Sequence, residues 1–122
     1  MSQNVFSIDV EDWYQGIEIP LDQWSGFERR VEVGMEELLD LMARYDVTAT
    51  CFVLGKVAEE HPELVRRLHD AGHEIATHGY SHEKVYNLSP ERFRQELQQS
   101  IDLIQGLTGE RGICRRRRHG LW

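Results

Sequence analysis

No stretch of this chain approaches the ~20 consecutive apolar residues that a membrane-spanning helix needs. Met1 to Ile8 also lacks the basic start and the long apolar segment of an export signal. Membrane insertion is therefore not expected, and the cytoplasm is the expected location. Cysteine is scarce: Cys51 and Cys114 are the two present, too few for a disulfide framework. Cys51 sits in an apolar run with Ala49, Phe52, Val53 and Leu54, where a reduced, buried thiol is expected. Internal repeats and low-complexity linkers are lacking too. With 122 residues the chain has room for one small domain and a modest core, and not for two domains.

Basic charge is sparse over most of the chain. Residues 1–110 hold nine of the 14 Lys and Arg and all 21 Asp and Glu, a net charge of −12. A domain that acidic is a poor partner for nucleic acid or an anionic membrane. The other five basic residues are Arg111 and Arg115 to Arg118. One four-residue Arg run without interleaved aromatics does not make a nucleic-acid surface.

What is present reads as alternating strands and helices. From Asn4 to Val10 the chain alternates, with Phe6, Ile8 and Val10 on one side and Ser7, Asp9 and Glu11 on the other, as in a strand that ends in acids. Trp13 to Phe27 is aromatic and broken by Gly16, Pro20 and Gly26, which suits an ordered loop. Between Arg30 and Tyr45, Val31, Met35, Leu38, Leu39, Leu41, Met42 and Tyr45 recur at helical spacing. Thr48 to Leu54 has the continuous apolar centre of a buried parallel strand. A second helix follows, with Pro62 in its first turn, Leu64, Val65 and Leu68 inward and Gly72 at its end. A short strand from His73 to Thr77 runs into His78. The final helix has Ser89 as N-cap, Pro90 at its first position and Gly109 as terminator, with Phe93, Leu97, Ile101 and Ile104 expected inward. This order predicts an α/β fold with a parallel sheet. In such folds chemistry gathers at the carboxyl ends of the strands, where Asp9 to Asp12 and His78 to His82 both fall.

Two clusters carry candidate chemistry. In His78-Gly79-Tyr80-Ser81-His82 two imidazoles stand four residues apart, and a helical turn would aim both at one divalent cation. Asp9-Val10-Glu11-Asp12 places three acids at the end of a strand expected to be buried, where a carboxylate needs a partner to offset its desolvation. Catalytic zinc commonly takes three protein ligands and keeps a position open for water, so the two clusters together suffice for one site. His61, His69 and His73 read as surface or packing residues. Trp13, Tyr14 and Trp24 read equally as loop packing or as faces for a sugar ring.

Three segments, Ser7 to Tyr14 (SIDVEDWY), Thr48 to Gly55 (TATCFVLG) and Gly72 to His82 (GHEIATHGYSH), occur in that order. Together they closely resemble the polysaccharide deacetylases of carbohydrate esterase family 4, the NodB-homology domain, and the Asp-Val-Glu-Asp form resembles its exopolysaccharide-associated branch. The resemblance runs from about Val5 to Gly109. It implies a deformed (β/α) barrel, a divalent ion, Zn2+ foremost, and removal of N-acetyl groups from an N-acetylated polysaccharide or oligosaccharide. On these positions it makes Asp9 the general base, His78 and His82 metal ligands, and either Glu11 or Asp12 the metal carboxylate. Trp13 and Tyr14 are candidate substrate-binding residues.

The resemblance also sets expectations about what is missing. The family's Arg-x-Pro strand and its late catalytic His find no match after Gly109, and His119 stands in no matching context. Residues 1–110 then form the N-terminal part of the domain. Residues 111–122 form a basic tail outside the family pattern, as a frameshift would leave it. A partial barrel truncated after about three βα units is expected, with an open third strand and little or no activity. Two alternatives remain open: a related amidohydrolase acting on a small cyclic amide, and a degenerate module that still binds metal.

Overall fold

The computed structural model describes residues 4–113. Three short strands, β1 (Ser7–Val10), β2 (Thr50–Val53) and β3 (Glu74–Thr77), form one parallel sheet in the order β1-β2-β3. A parallel neighbour can be reached only by a crossover. Helix α1 (Val31–Arg44) makes the first, and α2 (Gly55–Glu60) with α3 (Pro62–Asp70) makes the second. Helix α4 (Pro90–Thr108) follows β3. All four residues of the central strand β2 are buried, the physical basis of its unbroken apolar run.

Register fixes what can meet at the sheet's end. Val10 pairs with Val53 and Val53 with Thr77, so all three strands finish on one row. Glu11 and His78 are therefore the next residues on the two outer strands. The opposite end is occupied by His73, whose buried Nδ1 accepts a hydrogen bond from Ala49 N at 3.1 Å. Burial lowers the His73 pKa, in keeping with a neutral packing histidine.

One cluster forms the core. Val10, Cys51, Val53, Leu54 and Ile75 of the sheet and its margins meet Val31, Met35, Leu39 and Met42 of α1, Leu64, Val65 and Leu68 of α3, and Ile104 of α4. Cys51 is free and fully buried, and burial pushes its thiol pKa up to about 12. Pro62 opens α3, and α4 carries the expected cap, with Ser89 Oγ accepting from Arg92 N at 3.1 Å and Gly109 in the left-handed region at φ 78°.

Several expectations need correction. The apolar stripe of α1 is narrower than the sequence pattern, since Leu41 and Tyr45 are exposed. The crossover from β2 to β3 also includes α2, a six-residue helix too short to show periodicity. In α4 the inward line runs through Glu96, Ser100, Ile101 and Ile104, while Phe93 is exposed and Leu97 only half-buried. Helix α4 meets α2 closely around Ser100, where a Cβ on Gly55 would stand 2.8 Å from Ser100 Oγ, whereas Phe93 lies two turns earlier in the exposed start of the helix. Strand β1 is an edge of the described sheet, and Asp9 is exposed rather than buried. The far edge of β3 is not wholly open, because Thr77 N donates to Gly112 O at 2.7 Å. Cys114, Arg115 to Arg118 and His119 lie outside the described residues.

Candidate metal centre

Glu11, His78 and His82 converge at the carboxyl end of the sheet. Glu11 Oε2 lies 3.3 Å from His78 Nε2 and 3.2 Å from His82 Nε2. One ligand atom from each residue falls within a group spanning at most 4.8 Å. The imidazole rings are nearly perpendicular, with centroids 5.1 Å apart.

Glu11 arrives there through strand alternation. Val10 turns into the core, so Asp9 and Glu11 share the other face. Gly16 lets the following loop close on Glu11, since a Cβ there would stand 3.1 Å from Glu11 Oε1. The two histidines do not arrive by a helical turn. His78 extends from β3, its N–H donating to Val53 O at 3.0 Å, and the chain then doubles back through left-handed backbone at Gly79 (φ 79°) and His82 (φ 60°).

The electrostatics suit a cation. Glu11 Oε2 and His78 Nε2 are buried atoms that attract each other at 3.3 Å yet have no hydrogen bond of acceptable geometry. Buried polar atoms seldom remain unsatisfied. A carboxylate oxygen and an imidazole nitrogen in this state, beside a second imidazole, are donors that a divalent ion can take up. One carboxylate with two imidazoles is also a donor set that zinc accepts. The residues present therefore fit the group. The nearby His78 imidazole foremost, then His82, lowers the Glu11 pKa against the upward effect of burial. Glu11 foremost raises the His78 pKa, with Asp9 adding to it and burial opposing.

The other candidate residues separate clearly. Asp9 stands beside the cluster, its Oδ2 3.8 Å from His78 Nε2 and its side chain 59% exposed. Asp12 is turned away and buried. Its Oδ2 accepts from Arg30 N at 2.7 Å and Val31 N at 3.0 Å, and its Oδ1 from Trp13 N at 2.9 Å. It thereby satisfies the start of α1, whose flanking residue Arg30 offers no capping side chain. Trp13 is 52% exposed and lines a hollow of about 260 Å³ with Asp9 and Glu11. Tyr14 is 2% exposed, stacked on Phe27 with centroids 5.4 Å apart, and has no face open to a sugar ring. A larger open cleft of about 880 Å³ is lined by His78, Ser81, His82, Gln15 and Lys84. His61 and His69 sit elsewhere, beside Glu32 and Asp70.

Two site residues have no sequence signal of their own. Gln15 Oε1 accepts from Asp12 N at 2.6 Å and braces the turn after β1. Glu96 accepts from both Ser81 N and Ser81 Oγ beneath the histidine loop. An acid within a helix is normally a solvated residue, so only the packing reveals it.

A sequence profile for polysaccharide deacetylases matches residues 24–122. Over 79 residues the chain is 39% identical to a peptidoglycan deacetylase of Helicobacter pylori, covering 65% of this chain and 27% of that protein. It is 28% identical over 114 residues to a chitooligosaccharide deacetylase of Rhizobium leguminosarum, covering 86% of this chain and 53% of that one. The crystal structure of a candidate polysaccharide deacetylase from Mycobacterium smegmatis superposes with a TM-score of 0.72 at 28% identity, over 88% of this chain and 40% of the other. The chain belongs to the polysaccharide deacetylase family, and its three-stranded sheet is part of that family's (β/α) barrel. It spans about a quarter to a half of the length of these curated relatives. The profile continues through residues 111–122, where the motifs alone show no family pattern. No helix among the described residues is long and apolar enough to cross a membrane.

Proposed function

We propose that this protein takes part in hydrolysis of N-acetyl groups on an amino-sugar polymer, with a divalent cation, zinc foremost, held by Glu11, His78 and His82. The observation that carries this reading is the convergence of those three side chains from two strand ends with two buried ligand atoms left without hydrogen bonds. The relatives named for peptidoglycan and chitooligosaccharide deacetylation support an N-acetylated glycan as substrate.

A cation in such a site supplies Lewis acidity, acidifying water and polarising an amide carbonyl. The chain's own residues do the rest. Asp9 stands beside the cluster with its carboxylate open to solvent, so it can take a proton from an attacking water while leaving the ligands undisturbed. The ligand atoms Glu11 Oε2 and His78 Nε2 are themselves buried, although the two side chains are only partly so, which limits competing water at these two atoms. Trp13 presents an exposed indole in the hollow shared with Asp9, a surface that suits a pyranose face. Among the described residues no third imidazole stands at the site to protonate a leaving amine.

The test begins with the cation. Titration of the chain with Zn2+ or Co2+ is expected to show one site, lost in His78→Ala, His82→Ala and Glu11→Ala and retained in Asp9→Asn. Acetate release from N-acetylglucosamine oligomers is then followed with each variant placed in a chain that carries the rest of the family domain. A chain that binds no divalent cation overturns the reading, and turnover that survives Asp9→Asn overturns the role of Asp9.

A further inference from the structure

We propose that Glu96 is the positioning residue of this metal centre: from α4 it holds Ser81 and so fixes the strained backbone that presents the His82 imidazole to Glu11. This rests on the metal reading above and assigns a part to a helix that contributes no ligand.

Glu96 is a carboxylate on the inner face of α4, 7% exposed. Such burial is unfavourable unless the oxygens find donors. They find them in the histidine loop. Glu96 Oε1 accepts from Ser81 Oγ at 2.6 Å and from Ser81 N at 3.1 Å, while Oε2 lies 3.4 Å from the exposed Arg92 guanidinium. A short bond from a hydroxyl to a carboxylate is among the stronger hydrogen bonds a side chain makes.

The next residue is His82, at φ 60°. A non-glycine residue keeps left-handed backbone only where its surroundings over-determine it. The loop is held from two directions. On one side Gly55 N donates to Gly79 O at 2.7 Å and Lys56 N to Tyr80 O at 3.2 Å, so the start of α2 grips residues 79 and 80. On the other side Glu96 grips residue 81. The paired bonds to Ser81 N and Oγ fix both the peptide plane and the side chain immediately before the ligand. Without them residues 81 and 82 can relax towards extended backbone, which swings the imidazole away from Glu11. The hydrogen bonds and ion pair of Glu96 run to Ser81 and Arg92 and to neither imidazole, so its effect passes through the backbone.

The experiment is a cation titration of the whole chain, by chelator competition for Zn2+ and by visible absorption for Co2+. Wild type, Glu96→Ala, Glu96→Gln, Ser81→Ala, Arg92→Ala and His82→Ala are compared, with metal-free unfolding midpoints recorded for each. Glu96→Ala is expected to weaken binding about 10- to 100-fold, the usual effect of losing a residue that orients a ligand. Its Co2+ spectrum should change shape as coordination loosens. Glu96→Gln keeps an acceptor for Ser81 and should stay close to wild type, and Arg92→Ala should leave affinity unchanged. If Glu96→Ala fails to fold, Ser81→Ala decides, with a smaller loss in the same direction expected. Wild-type affinity in Glu96→Ala or, where that variant does not fold, in Ser81→Ala overturns the inference. So does a Glu96→Gln variant as defective as Glu96→Ala, which would mean that charge and not position is what matters. Those outcomes leave the metal reading standing as long as His82→Ala is defective. A wild type that binds no cation, or a His82→Ala that binds undiminished, overturns both.

Discussion

Replacing Asp12 with Ala separates two carboxylates that lie one residue apart. In the folded chain Asp12 accepts three backbone N–H bonds, from Trp13, Arg30 and Val31, and is itself buried. Loss of a helix-capping oxygen costs ~0.5–2 kcal/mol, and donors left unsatisfied in a buried place add to that, so about 2–3 kcal/mol is expected in all. For a domain of this size the unfolding midpoint should fall by about 10 °C. Cation affinity, measured well below that midpoint, should remain close to wild type because Asp12 faces α1 and not the imidazoles. Glu11→Ala should behave in the opposite way, losing the cation while the metal-free midpoint, taken at pH 8 where the Glu11–His78 attraction has faded, falls less than in Asp12→Ala. The assay is thermal unfolding without metal beside a Zn2+ titration of the folded protein. An Asp12→Ala variant that unfolds like wild type and loses zinc as completely as Glu11→Ala would refute the assignment.

The pH dependence has a definite sign. Stability from the raised His78 pKa is fully present below 6.5 and lost as pH rises through its folded value, while that from Glu11 is present above 4.5 and lost as pH falls through its lowered value. The attraction between them should therefore stabilise the metal-free chain most between 4.5 and 6.5, and Glu11→Gln should flatten the midpoint-against-pH curve there. Cation binding must displace the His78 proton, so affinity should rise as pH climbs above 6.5, with proton release measurable by calorimetry in buffers of different ionisation enthalpy; a flat profile would count against His78 as ligand. Gly55→Ala should cost about 1–3 kcal/mol by overpacking and also weaken cation binding, because its Cβ would stand 2.6 Å from Tyr80 Cδ2 in the histidine loop. Cys51, buried with its pKa near 12, should resist alkylation in the native chain at pH 8 and react after unfolding, as peptide mapping would show.

Much of this was legible from residue order alone. The apolar centre of β2, the Ser89-Pro90 start and Gly109 stop of α4, and the alternation that ends in acids at β1 are short-range signals. They report backbone preference and burial within a few residues, and the structure follows them. The placement of acids and histidines at strand ends was likewise readable, because parallel strands joined by crossovers finish on one side of the sheet.

Other features depended on partners distant in sequence. Glu11 and Asp12 are chemically alike and adjacent. Which one faces the imidazoles follows from where the start of α1 docks, since its unpaired N–H groups take the Asp12 carboxylate. Tyr14 and Trp13 differ for a similar reason: Phe27 and Trp24 close over the tyrosine and leave much of the indole in solvent. The four-residue spacing of the histidines suggested a helical turn, but two left-handed residues bring the rings together instead, held by α2 on one side and Glu96 on the other. In Glu96 itself the sequence shows an acid in a helix and no more. Residue type and period by themselves determined the strands, the main helices and the donor types available for a metal. The tertiary structure decided which donors converge and what holds them, because convergence depends on register and packing between segments that no local pattern encodes.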